Sequence, residues 1–197
     1  MASSARRLLS LPVLVLALSL VLLAGAVWLT LAGRDPGAPA PSAIGGPFTL
    51  VDQNGARVTQ DDFKGQPTLV FFGFTHCPDV CPTTLFEISE LMRKLGPERK
   101  LRALFVSVDP ERDTPELMKS YLSSFDKRIV GLTGERPDVD AMLKAWRVYA
   151  KKVPLDGSNY TMDHSAIIYL MDKQMRFVNA VPMQDQDRAI REIQRWM

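Results

Sequence analysis

The two cysteines of this chain, Cys77 and Cys81, are the residues with the clearest capacity for chemistry. Cys77 follows a dense apolar run at residues 67–74, which has the length and composition of a buried strand. Apolar residues then recur at helical spacing from residue 83 to residue 95. The sequence therefore predicts that both thiols lie on the turn between a strand and the first turn of a helix. The positive potential at a helix N-terminus favours thiolate over thiol, so we expect reactive cysteines.

The spacing of the cysteines indicates a metal site or a redox pair. Three residues separate them, one more than in thioredoxin-type oxidoreductases, and positions i and i+4 share one face of a helix. Two thiolates form a soft site that suits Cu(I). A third ligand must come from one of two histidines. His164 is the better candidate, because it stands where a polar loop enters a strand, a junction that lies beside the cysteine turn in a thioredoxin-like fold. His76 should project the other way, to the rim of the site.

Other interpretations of these residues fit less well. A disulfide that only staples the fold would close a very small loop and add little stability. A structural zinc site needs four ligands, which this chain supplies only by using both cysteines and both histidines, two of them adjacent. Most methionines on helical faces are expected in the core. Met162, two residues before His164, is the one methionine whose position in the sequence is close to a candidate ligand.

The order of the predicted elements indicates the fold. A hairpin is predicted at residues 48–59, and the cysteine strand and helix follow. Strand 101–108, a helix from residue 115, strand 128–134 and helix 138–150 come next, and then a polar loop at 151–161. Strands 165–171 and 175–181 and helix 184–196 end the chain. This pattern predicts an α/β, thioredoxin-like fold with a central mixed β-sheet flanked by helices.

The N-terminal region predicts a membrane anchor. Residues 8–32 carry no charge and are long enough to span a bilayer. Two arginines precede them, so the positive-inside rule leaves residues 1–7 in the cytoplasm. A cleaved signal peptide is the alternative, since small residues stand at suitable spacing. A mitochondrial leader would be longer. We therefore expect a single-pass protein of the bacterial inner membrane, with a flexible Pro/Ala/Gly linker at 33–46 and a periplasmic thioredoxin-like domain at 47–197.

The charge balance excludes one class of function. The chain has 24 basic and 22 acidic residues, and two of the basic residues, Arg6 and Arg7, precede the apolar run. The remainder is formally neutral. A nucleic-acid-binding domain would carry a basic excess, so no nucleic-acid partner is expected.

Four motifs, taken together, resemble those of the SCO/SenC family, the membrane-anchored, thioredoxin-like copper chaperones involved in assembling cytochrome c oxidase. They occur in the order of that family across residues 47–197. The motifs are Gly73-Phe-Thr-His-Cys77-Pro-Asp-Val-Cys81-Pro82, Ser107-Val-Asp-Pro-Glu-Arg-Asp-Thr-Pro-Glu116, Gly131-Leu-Thr-Gly134 and Asp163-His164-Ser165. A cysteine pair alone would be weak support, but the combination is specific.

The resemblance implies that Cys77, Cys81 and His164 bind one copper per chain, as Cu(I) or Cu(II), in a metallochaperone that has no catalytic residues. It implies an upstream copper donor, and delivery to, or reductive priming of, the binuclear copper A site on cytochrome c oxidase subunit II. Asp109 would lie near the site and help to dock partners, and Asp163 would orient His164; a capping role is the alternative for both. The rival function is a periplasmic thiol-disulfide reductase or redox sensor. It would use Cys77 and Cys81 as a redox-active disulfide, with Cys77 as the attacking thiol.

Overall fold

The computed structural model describes residues 5–32, 42–157 and 159–197 of the chain. Helix α1 (Ala5–Ala32) belongs to one unit, and a second compact unit is Pro41–Met197. The side chains of residues 13–29 are all exposed. Within the described ranges, no helix meets both the length and the hydropathy that a membrane span requires. Residues 1–4 of the predicted cytoplasmic segment and residues 33–41 of the predicted linker lie outside the described residues.

The second unit alternates short strands and helices. Its strands are β1 (Thr49–Asp52), β2 (Arg57–Thr59), β3 (Thr68–Gly73), β4 (Arg102–Ser107), β5 (Ile129–Thr133), β6 (Ala150–Pro154), β7 (Tyr160–His164), β8 (Ile168–Met171) and β9 (Phe177–Ala180). Its helices are α2 (Val80–Leu95), α3 (Pro115–Leu122), α4 (Arg136–Ala145) and α5 (Gln186–Gln194), with a 3-10 turn at Gln60–Phe63.

Seven strands form a mixed sheet in the order β2-β1-β5-β4-β3-β8-β9. The three central strands are parallel and the outer pairs antiparallel, so the predicted mixed sheet is confirmed. Successive residues of a strand point to opposite faces of the sheet. Every residue of β3 is buried, and so is nearly every residue of β4, which requires that both faces of the sheet are covered. β3 is thus one of the three central strands, and it leads directly into the cysteine turn.

Between residues 146 and 167 the structure differs from the sequence-based prediction. Helix α4 ends at Ala145 rather than residue 150, and Arg147 adopts a positive φ of 57°, a conformation that ends helices. The stretch predicted as a polar loop, 151–161, holds most of β6 and the first residues of β7, and these two strands form a separate two-stranded antiparallel sheet. β6 is largely exposed and rich in polar residues, so it shows no apolar alternation from which a strand would be inferred. His164 is consequently the last residue of a strand rather than part of a loop.

Candidate metal centre

The two cysteines lie where the buried strand β3 passes into helix α2. β3 ends at Gly73, and α2 begins at Val80, so that Cys81 is its second residue. The backbone N–H of Cys77 donates to the Phe74 carbonyl at 3.3 Å, and the backbone N–H of Cys81 donates to the Cys77 sulfur at 3.4 Å. Both cysteines are free thiols, with Cys81 fully buried and Cys77 partly exposed. The turn therefore leaves Cys77 partly accessible and places Cys81 in the interior.

Gly73 allows Cys81 to pack against the end of β3. A Cβ atom at position 73 would lie 2.8 Å from the Cys81 sulfur and 2.6 Å from Cε2 of Phe105. Carbon atoms in favourable contact are about 3.5–4.0 Å apart, so a larger residue would push the sulfur or the ring away. The missing side chain at position 73 therefore sets the depth at which Cys81 lies.

His164, at the end of β7, faces the buried sulfur. Its Nε2 is 3.7 Å from Cys81 Sγ, and its Nδ1 is 3.1 Å from the carbonyl oxygen of Ser165. A carbonyl oxygen only accepts hydrogen bonds, so Nδ1 carries the proton and the lone pair of Nε2 points at Cys81. Phe74 packs edge-on against the imidazole, with ring centres 5.7 Å apart, and restricts its rotation. The ring is thus oriented as a metal-binding imidazole requires.

Burial keeps both donor groups of this contact neutral. It raises the pKa of the Cys81 thiol well above its ordinary value, with smaller contributions in the same direction from the thiol of Cys77 and the carboxyl of Asp113. It also lowers the pKa of the His164 imidazole, against the opposing effects of the Ser165 carbonyl and Asp163. The expectation that the helix N-terminus would make Cys81 a thiolate is wrong, because loss of hydration outweighs the helix potential at full burial.

Asp113 anchors the cysteine turn, a role that the sequence did not indicate. Its buried carboxylate accepts hydrogen bonds from Ser107 Oγ (2.6 Å), Thr75 Oγ1 (2.6 Å) and the Thr75 backbone N–H (3.2 Å). Burial raises the pKa of the Asp113 carboxyl, while these hydrogen bonds act in the opposite direction. Asp113 and Thr114 both precede α3, whose first residue is Pro115. Thr114 makes the capping hydrogen bond, to the N–H of Leu117, and Asp113 is left to hold the segment that carries Cys77.

Three other residues near the site make contacts that differ from those expected of metal ligands or docking groups. His76 is half exposed, and its Nδ1 contacts Thr75 Oγ1 at 3.1 Å rather than a cysteine. Asp109 is fully buried, so the prediction that it docks partners is wrong: its carboxylate is enclosed by the domain. Asp163 is exposed, and the contact that orients His164 comes from the Ser165 carbonyl instead.

The structure brings the three predicted ligands to one end of the sheet. Cys81 and His164 are in contact, and Cys77 is one hydrogen bond away from Cys81. In the described part of the chain, no three His, Cys, Asp or Glu side chains are grouped closely enough to hold a metal ion as they stand. Met162 is buried in the core cluster. The arrangement is a thiol pair with a neutral imidazole aimed at the buried member.

Fold and site together define a thioredoxin-like domain whose cysteine pair, at the end of the buried strand β3, is accompanied by an imidazole nitrogen held free for coordination. Two thiols and such a nitrogen can bind a soft metal ion, and the pair alone can exchange with disulfides. The chain belongs to the SCO1/SenC family, whose family model matches residues 36–197.

Three similar proteins support this family assignment. The copper-bound structure of ScoI from Bradyrhizobium japonicum is 54% identical, with a TM-score of 0.75, and the match covers 78% of this chain and 99% of that one. The mitochondrial SCO1 homolog 1 of Arabidopsis thaliana is 37% identical over 76% of this chain, which spans only 45% of that protein. A SCO2-like protein of Rickettsia felis is 33% identical, and 91% of this chain matches 93% of that protein.

Proposed function

We propose that this protein is a copper chaperone that binds one copper ion through Cys77, Cys81 and His164. The observation that carries the proposal is the geometry of His164, whose protonated Nδ1 is held by the Ser165 carbonyl while Nε2 faces the Cys81 sulfur at 3.7 Å. Two thiolates and an imidazole suit Cu(I), the softest of the common copper and zinc ions. The copper-bound relative that is 54% identical supports the choice of metal.

Loading the site is coupled to proton release. The ligands must be deprotonated, so binding of Cu(I) to two thiols and a neutral imidazole releases two protons and forms two copper–sulfur bonds. The imidazole contributes no proton, because the buried His164 is already neutral. Cys77 is the partly exposed ligand, so an incoming cysteine or histidine of a client can reach the metal from its side. Copper then moves by stepwise ligand exchange and is never free in solution.

The client of this chaperone, in our proposal, is the binuclear copper A site of cytochrome c oxidase subunit II, and a separate donor supplies the copper. Membership of the SCO1/SenC family supports this assignment. We further propose that residues 8–32 anchor the protein in a bacterial inner membrane, because the sequence is free of charge there, and that the domain lies in the periplasm. A C-terminal alkaline phosphatase fusion, which is active only outside the cytoplasm, would be inactive if this orientation were wrong.

A second candidate function is thiol-disulfide reduction, favoured by the unequal exposure of the cysteines. The Cys77 thiolate would attack a client disulfide, release one client thiolate and form a mixed disulfide. Cys81 would then displace the second client thiolate and close the Cys77–Cys81 disulfide, which an external thiol reductant would have to reopen. The raised pKa of Cys81 makes it a slow resolving thiol, so we rank this function second.

The test is the copper content of the reduced full chain after Cu(I) is added without oxygen and unbound metal is removed. We expect about one copper per chain, and substantially less in His164→Ala. Asp163→Ala, which alters the exposed neighbour of the ligand, is the matched control and should retain the parental amount. Equal copper in His164→Ala and the parent would remove the histidine from the site. No copper in the parent, together with reduction of a model disulfide, would favour the reductase.

A further inference from the structure

The hairpin that carries His164 is attached to the domain by its own set of contacts. β6 and β7 pair only with each other among the described strands. Tyr160, Met162 and His164 alternate along β7 and therefore share one face of it. Met162 is buried, Tyr160 and His164 are partly buried, and the intervening Asp163 is exposed. This face lies against the domain, with His164 at one end and Tyr160 at the other, about 13 Å away at the usual rise per residue.

Tyr160 is held on both its side chain and its backbone. Its hydroxyl donates to Asp109 Oδ1 at 3.0 Å, and its carbonyl accepts from Arg112 Nη1 at 3.1 Å. The guanidinium carbon of Arg112 lies 3.7 Å from the centre of the phenol ring. Arg112 Nε also donates to Asp109 Oδ2 at 2.5 Å, so the two residues form a partly buried ion pair beside the ring. Burial, followed by the hydrogen bond to Asp109, raises the pKa of Tyr160 to about 12, and the hydroxyl remains a donor at neutral pH.

Neighbouring contacts reinforce this attachment. Nζ of Lys152, on the paired strand β6, lies 3.8 Å from the centre of the Tyr160 ring and forms an ion pair with Glu111 at 2.7 Å. Arg112 also lies over the ring of Phe74 at 5.8 Å, and Phe74 in turn contacts the His164 imidazole. The loop at residues 109–112 therefore reaches both ends of the same face of β7.

We propose that Asp109, Arg112 and Tyr160 are positioning residues that fix the hairpin so that His164 Nε2 meets the Cys81 sulfur. This inference rests on the proposed function, because it concerns how His164, the third copper ligand, is held in place. None of the three residues touches the metal. With β7 anchored at Tyr160, rotation of the hairpin about the buried Met162 is blocked, and the Ser165 carbonyl stays in place to hold the proton of Nδ1.

The first test is a double-mutant cycle on Cu(I) affinity, measured in the full chain by competition with a chromogenic Cu(I) chelator. Tyr160→Phe removes the hydroxyl and keeps the ring. We expect about five-fold weaker binding in the parent background, from one lost hydrogen bond, and less than a two-fold change in a His164→Ala background. Tyr149→Phe, which alters an exposed tyrosine beside the same hairpin, should bind like the parent. Equal weakening in both backgrounds, or none in the parent, would overturn the proposal.

A second test does not use copper. Imidazole 15N spectra of the metal-free full chain report which ring nitrogen carries the proton, and the two histidines are distinguished with His76→Gln. We expect a single Nδ1–H form of His164 in the parent and a mixture of forms in Tyr160→Phe. An unchanged His164 spectrum in Tyr160→Phe would overturn the positioning role. If instead His164→Ala binds copper as the parent does, the proposed ligand set fails, while this spectrum still decides whether Tyr160 orients the ring.

Discussion

Replacing Gly73 with alanine tests whether the close approach of β3 to Cys81 sets the geometry of the site. The added Cβ would meet Phe105 Cε2 at 2.6 Å and the Cys81 sulfur at 2.8 Å. Restoring an ordinary contact requires a shift of about 1 Å. β3 itself has little freedom, because both of its neighbours, β4 and β8, are hydrogen-bonded to it. Overpacking of this kind costs about 1–3 kcal/mol of unfolding free energy.

The measurement is urea unfolding of a chain that begins at residue 42, together with Cu(I) affinity. We expect Gly73→Ala to lower the free energy of unfolding by about 1–3 kcal/mol, and its melting temperature by about 2–4 °C for each kcal/mol. We also expect weaker copper binding, because the displaced sulfur leaves its position 3.7 Å from His164. Gly134→Ala is the matched control, since its Cβ would make one close contact, with the side-chain end of Leu50 at 3.1 Å, and would otherwise meet backbone atoms at 3.8 Å or more. Equal stability of the two variants would refute the reasoning.

Two further predictions concern protons at the site. In the reduced, metal-free protein at pH 8, iodoacetamide should modify Cys77 at least about ten-fold faster than Cys81. Cys77 is partly exposed, whereas burial raises the pKa of the Cys81 thiol. Peptide mass spectrometry measures both rates, and equal rates would show that this prediction is wrong. Burial lowers the pKa of His164 below its unfolded value of 6.5, so the unfolded state binds the extra proton first as the pH falls. The metal-free domain should therefore lose stability as the pH falls below about 6.5, down to the folded-state pKa, where the loss levels off. This dependence should be smaller in His164→Gln. Urea titrations at pH 7.5 and 5.5 measure the change in the free energy of unfolding between the two pH values, and an equal change in both proteins would contradict the assignment.

The cysteine turn could be predicted because its signals are local. A buried strand is evident from the apolar run before Cys77, and the helix is evident from the spacing after it. The proximity of His164 to the turn followed from the predicted fold, since a thioredoxin-like sheet brings the start of its later hairpin beside the end of the central strand. The structure places Nε2 of His164 in contact with the Cys81 sulfur. Long-range proximity was therefore predictable only where the fold itself was recognised.

What the sequence did not reveal depends on burial of polar groups. Asp113 and Asp109 stand in a loop rich in capping residues, and their patterns are those of ordinary turn carboxylates. Both are fully buried, and each bonds a different part of the site. The pKa of Cys81 was predicted in the wrong direction for the same reason, since position in a helix can be inferred from the sequence but depth below the surface cannot. The β6–β7 hairpin escaped prediction because β6 is short and largely exposed and shows no apolar period.

The loop at residues 109–113 contacts both segments that carry the proposed ligands, the cysteine turn and the β6–β7 hairpin. Residue Asp113 holds the cysteine turn through Thr75, and Asp109, four residues earlier, holds the histidine hairpin through Tyr160. The donor atoms come from segments 83 residues apart in the chain, so their relative position depends on what joins those segments in the fold. Because the carboxylates of Asp109 and Asp113 are buried and each accepts a hydrogen bond from one of these segments, the loop holds the sulfur and the imidazole in their relative position. For the proposed copper carrier this means that the Cys81 sulfur and the His164 imidazole are in contact before the metal arrives, while burial keeps both neutral, so that no unpaired charge is stored in the interior.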